Sequence, residues 1–184
     1  MSIAEIVAIL ALLFFAGFLA GTESALSSLS RIFIEEQSAG NRRAARALLK
    51  FSAEPSRFLN VVLLVRKTSE FAAAALVAQV ALNQINNQRE ALAITVLVMV
   101  VASYVLVGVG PRTLGKQHPE KWAPPGAIVA VLLARVLSPV TRLLIALGNA
   151  LTPGKGFKQG PFSTEAEFRD LVDQARERGF VEED

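Results

Sequence analysis

The sequence predicts an all-α integral membrane fold, with three transmembrane helices plus a juxtamembrane amphipathic belt helix. Three observations carry that prediction. Of 184 residues, 52% are hydrophobic, and the mean hydropathy is +0.43. Such an excess points to membrane spans rather than to a larger soluble core. Apolar runs long enough to cross roughly 30 Å of hydrocarbon recur along the chain. Basic residues gather in alternate connections, as expected of a chain whose short cytoplasmic loops hold the excess Lys and Arg.

The first span covers residues 3–29. Glu5 lies at its start and no basic residue precedes it, so it reads as a retained helix that starts outside rather than a cleaved signal. Its second half is polar, with Gly21-Thr22-Glu23-Ser24 followed by Ser27, Ser28 and Ser30. The next stretch carries Arg31, Arg42, Arg43, Arg46, Lys50 and Arg57 against Glu35, Glu36 and Glu54. It reads as a cytoplasmic surface helix.

The second span covers residues 58–85 and is interrupted by Arg66-Lys67-Thr68-Ser69-Glu70. A short, nearly neutral linker follows. The third span covers residues 91–109 and ends in Gly108-Val109-Gly110-Pro111, with Arg112, Lys116 and Lys121 beyond it. Three crossings with this charge pattern put the N-terminus outside and the C-terminus in the cytoplasm of a multi-pass plasma-membrane protein.

Residues 127–151 are apolar but contain Arg135, Pro139 and Arg142. The arginines share one helix face, and a central arginine costs about 2.5–3.5 kcal/mol on insertion scales. The expected element is an amphipathic belt helix at the cytoplasmic interface, bent near Pro139. A fourth crossing is the alternative. Residues 1–151 thus form the membrane domain and 152–162 a Gly, Pro and Lys linker. Residues 163–184 read as the start of an acidic helical segment, capped by Ser163 or Thr164 and breaking off in mid-pattern.

Candidate chemistry lies in the intramembrane charges Glu23, Arg66, Lys67 and Glu70. Charged side chains in membrane helices face the bundle interior and pair with one another. Arg66 and Glu70 share a face, and Glu23 can reach Lys67 or Arg66 across helices. One reading is a charge cluster that fixes helix packing; the other is a lined ion pathway built on a discontinuous helix. The serines of the first span are either packing glue or neutral ligands for a hard cation. Gly108, Gly110 and Pro111 mark a helix break, either a plain terminus or an opening for an ion.

Other classes are excluded or disfavoured. The absence of cysteine removes disulfides, thiol chemistry and thiolate metal sites. The single His118 rules out a multi-histidine metal site within one chain. No phosphate loop, nucleophile elbow or zinc-binding helix motif appears, so no enzyme is expected. The net charge of +3 is small, and the basic patch suits anionic lipid rather than nucleic acid.

Several motifs together resemble the CNNM/CorC family. They are Phe18-Leu19-Ala20-Gly21-Thr22-Glu23-Ser24-Ala25-Leu26 with Ser30-Arg31, Phe58-Leu59, Pro111-Arg112-Thr113-Leu114-Gly115, and His118-Pro119-Glu120. The resemblance covers essentially the whole chain. It implies a dimeric membrane domain, expected here as a homodimer, associated with magnesium (Mg2+) transport or efflux. It also implies nucleotide (ATP) sensing by a cytoplasmic CBS pair that is absent from this chain. The implied ion site uses hydroxyl or amide oxygens from the first two helices and a carboxylate from the third.

At the equivalent positions this chain has Ala20 where the family often has serine, and Ser24 where it has a hydroxyl. Val65, Arg66 and Lys67 replace a glycine and paired asparagines, and Gly108 replaces a glutamate. Ser24 alone survives as an obvious metal-ligand type. Arg66 or Lys67 reads as a tethered cation in the ion's place, paired with Glu23 or Glu70. Two functions follow: a divalent-cation transporter domain with a degenerate ion site, or a non-transporting paralogue that serves as membrane partner, scaffold or regulator.

Overall fold

A computed structural model describes residues 2–29 and 42–151. The linker and acidic segment expected at 152–184, and Ser30 and Arg31 of the first motif, lie outside the described residues. Helix α1 spans Ile3–Ser27, α2 Arg42–Ala53, α3 Pro55–Gln84 and α4 Gln88–Ala102. A π-helical segment, Ser103–Val109, follows without a break, then α5, Gly110–Gln117, and α6, Pro119–Leu151. The described residues contain no strand.

Local chemistry sets the helix boundaries. Ser2 and Glu5 form a capping box: the Glu5 N–H donates to Ser2 Oγ at 3.2 Å and the Ser2 N–H donates to Glu5 Oε2 at 2.7 Å. Pro55 opens α3, where its missing N–H leaves no intrahelical bond unmade. The only residue between α2 and α3 is Glu54. Asn87 caps α4, accepting from the Arg89 N–H at 3.1 Å and donating to Glu90 at 2.9 Å.

Two apolar clusters hold the bundle. One joins Leu19 and Leu26 of α1, Leu48 and Phe51 of α2, Val61 and Val62 of α3, and an alanine seam on α6. That seam is Ala123, Ala127, Ala130 and Ala134, spaced every three or four residues, which lets backbones approach closely. The second cluster joins Leu13, Ala16 and Ala20 to Ala73, Met99 and Val107.

Glycines set the contact between α1 and the end of the α4–α5 run. A Cβ on Gly17 would meet the Leu106 carbonyl, and one on Gly21 would enter the Trp122 ring. Gly115 lies directly on the Gly21 backbone. Trp122 also stacks on Phe18 with ring centroids 5.9 Å apart.

Three described helical runs are long and apolar enough to cross a membrane: Ile3–Ser27, Gln88–Gln117 and Pro119–Ala150. The sequence predicts 58–85 as a crossing and 127–151 as the belt. On length and composition α6 qualifies, while α3 does not. The charges of Arg66, Lys67 and Glu70 interrupt α3, and Gln79, Asn83 and Gln84 dilute its second half. At about 1.5 Å per residue the 30 residues of α3 are still about 45 Å long. It packs more extensively on α1 than any other pair of elements does.

The expected helix end at Gly108, Gly110 and Pro111 is corrected. The chain does not stop there but widens into π geometry and continues through α5 to Gln117. The Gly110 N–H reaches back five residues to the Val105 carbonyl. Pro111 has no N–H to offer the next carbonyl, that of Leu106, which lies against Gly17 of α1 instead. The wider turn thus absorbs the proline without ending the helix.

Candidate functional site

Five charged side chains meet where α1, α3 and the start of α5 pack. Arg66 is at the centre. Its Nη1 donates to Glu23 Oε2 at 2.8 Å, and its Nε lies 3.8 Å from Glu70 Oε1. The first contact is a charge-assisted hydrogen bond; the second is an ion pair only, since the buried Nε has no hydrogen-bond partner among the described residues. Glu23 also faces Arg112 Nη2 at 3.7 Å, and Glu70 faces Lys67 Nζ at 3.5 Å. Ser103, the first residue of the π segment, donates its hydroxyl to Glu70 Oε2 at 2.8 Å.

The result is an alternating row: Arg112, Glu23, Arg66, Glu70, Lys67. Side-chain exposure divides it into layers. Arg66 is 7% exposed, Glu70 14% and Glu23 15%, whereas Lys67 and Arg112 are about half exposed, at 50% and 47%. The buried part therefore holds one cation between two carboxylates, with a further cation at each outer end. In a low-dielectric interior each charge needs its opposite, and this row supplies one for every member.

Helical geometry explains the arrangement. Arg66, Lys67 and Glu70 fall within one turn of α3, so Glu70 meets both cations. Glu23 projects from α1 opposite that turn. The small residues of α1 bring α5 close enough for Arg112 to reach Glu23, and for Ser24 Oγ to donate to the Arg112 carbonyl at 2.9 Å. That carbonyl lies just past Pro111, and Ser24 fastens it to α1.

The expected pairing of Glu23 with a cation across helices is found at Arg66. Lys67 reaches the cluster only through Glu70. Ala20 is fully buried in the second apolar cluster and brings no oxygen. Gly108 is partly exposed; a Cβ there would have only the Ser103 carbonyl within 4 Å, at 3.5 Å. Sequence reasoning missed Arg112 and Ser103, since one lies past the expected helix end and the other is neutral. It also missed Thr22, whose fully buried Oγ1 sits against Gly126 with no hydrogen-bond partner among the described residues.

A magnesium ion takes about six oxygens near 2.1 Å in octahedral array. Among Ala20, Ser24, Arg66, Lys67 and Gly108, only Ser24 offers a side-chain oxygen. Both nearby carboxylates, Glu23 and Glu70, already face guanidinium or ammonium groups. Among the described residues no three His, Asp or Glu side chains gather in a metal-holding group.

The family model of the cyclin M (CNNM) transmembrane N-terminal domain matches residues 7–184. The UPF0053 proteins Mb2387c of Mycobacterium bovis and Rv2366c of Mycobacterium tuberculosis are each 40% identical over 168 residues, covering 91% of this chain and 38% of theirs. The UPF0053 inner membrane protein YfjD of Escherichia coli is 27% identical over 164 residues, covering 86% of this chain and 38% of its own. The chain therefore spans less than two-fifths of the length of these relatives. The apolar helices, the motif order and the family match agree: this chain is a multi-pass membrane protein of the CNNM/CorC family.

Proposed function

We propose that this chain is the membrane domain of a CNNM/CorC-type magnesium transport or efflux protein whose intramembrane ion site is filled by a tethered cation. One observation carries the reading: the Arg66 guanidinium lies 2.8 Å from Glu23 and 3.8 Å from Glu70. Arg66 also stands where the family resemblance places an amide. An internal cation neutralises the carboxylates that would otherwise attract a divalent ion, and it repels any ion brought beside it.

The same observation favours a second reading, a non-transporting paralogue that acts as membrane partner, scaffold or regulator. A homodimer, with the N-terminus outside and the C-terminus in the cytoplasm, belongs to both readings. ATP enters either one only through a CBS region outside this chain.

Magnesium flux into proteoliposomes separates them, measured for the unmodified chain and for Gly108→Glu with Arg66→Asn and Lys67→Asn. Flux from the unmodified chain supports transport with Arg66 displaced during the cycle. Silence from it, with flux from the restored variant, supports the non-transporting reading. Silence from both overturns transport by this segment.

A further inference from the structure

We propose that the outer face of α2 and one flank of α6 form a seat for anionic phospholipid headgroups. This inference does not depend on whether the chain carries magnesium.

Helix α2 contains Arg42, Arg43, Arg46 and Lys50 and no acidic residue. Its inner face, Ala44, Ala45, Ala47, Leu48 and Phe51, is buried. Its outer face presents Arg46 and Lys50 with an exposed leucine, Leu49, at 51%. An apolar side chain set between exposed cations suits a helix lying in the headgroup layer rather than one bathed in water.

The surface of α6 divides into three sectors. Ala127, Ala130, Ala134, Ser138 and Thr141 face the protein. Leu132, Val136, Val140, Leu143 and Leu147 form an exposed apolar stripe on the far side. Arg135 and Arg142 are both exposed, and at seven residues apart they lie together on one border between those sectors. A helix lying along the bilayer surface, as expected of the belt, with protein on one side, acyl chains on the other and cations along one edge, places those cations at headgroup level.

The two helices pack against each other. Beside that contact, Arg57 in the first turn of α3 donates to Ser138 Oγ of α6 at 3.0 Å and pairs with Glu54 at 3.1 Å. Glu54 and Glu120 are the only acidic residues described on α2, the α2–α3 junction and α6. The charge complement of this surface is anionic, and its apolar neighbours select a lipid over a soluble anion.

Native mass spectrometry of the detergent-solubilised protein, mixed with equimolar phosphatidylglycerol and phosphatidylcholine, tests the seat. The expected result is a preference for phosphatidylglycerol of at least about ten-fold. It should collapse to near parity when Arg46, Lys50, Arg135 and Arg142 are all changed to Gln, and persist in Arg89→Gln, at the far end of the bundle. Unchanged Trp122 emission would show that the quadruple variant is folded. Parity in the unmodified protein, or a preference that survives the quadruple change, overturns the proposal. So does parity accompanied by cross-linking of a cysteine at position 46 to residues 163–184. That segment carries eight Asp and Glu against three Arg, and it would then be the occupant.

Discussion

Replacing Arg66 with Met keeps an unbranched side chain at the centre of the charge row but removes its charge. Glu23 and Glu70, 15% and 14% exposed, would then share a buried space without the cation between them. Removing one partner of a buried ion pair costs about 3–5 kcal/mol, because the remaining charge is uncompensated. Here Glu23 keeps Arg112 at 3.7 Å, and Glu70 keeps Lys67 at 3.5 Å and Ser103 at 2.8 Å. Those contacts put the expected loss at the lower end, about 3 kcal/mol, or roughly a hundredfold in the folded-to-unfolded ratio. Denaturant unfolding followed by the emission of Trp122, the sole tryptophan, measures it. Changing Glu23 and Glu70 to Gln in the same chain should recover most of the loss, since neutral groups carry no desolvation penalty of that size. A loss below about 0.5 kcal/mol for Arg66→Met would refute the reasoning, because a surface pair behaves that way and a buried one does not.

Four further outcomes follow from the same geometry. Ser103→Ala removes a hydrogen bond to a carboxylate and should destabilise the protein by about 1.5–3 kcal/mol in the same unfolding assay. Gly21→Ala drives a methyl into the Trp122 ring and should cost about 1–3 kcal/mol while shifting that residue's emission. Gly108→Ala puts a methyl in ordinary contact with the Ser103 carbonyl at 3.5 Å and should stay within about 0.5 kcal/mol of the unmodified chain. Asn87→Ala removes the α4 cap and should cost about 0.5–2 kcal/mol, with faster amide exchange over the first turn of α4.

Much of this was legible in the sequence because charge inside an apolar run has few places to go. The four-residue spacing of Arg66 and Glu70 placed them on one face, and Glu23, the only acidic residue in the second half of the first span, had to find a cation. What stayed hidden depended on the path of the backbone. Gly-x-Gly-Pro reads as a stop, yet a π turn carries the helix past it. That continuation brings Arg112, which looked like a loop residue, back to Glu23. Ser103 gives no sign in the sequence that it faces Glu70, since serine in a membrane helix bonds its own backbone as readily. The Gly17-x-x-x-Gly21 spacing was not among the expected features, and its meaning comes only from the opposing Gly115 and Trp122. The roles of α3 and α6 were hard to divide for a related reason: composition counts charges without knowing that those of α3 pair with one another and with Glu23 of α1.

The most direct test of the central claim is an experimental structure of the chain at high magnesium concentration. The Arg66 guanidinium should lie within hydrogen-bonding distance of Glu23, with Glu70 beside it and no ordered ion at Ser24. An octahedral ion bound at Ser24, with Arg66 turned away from both carboxylates, would contradict it.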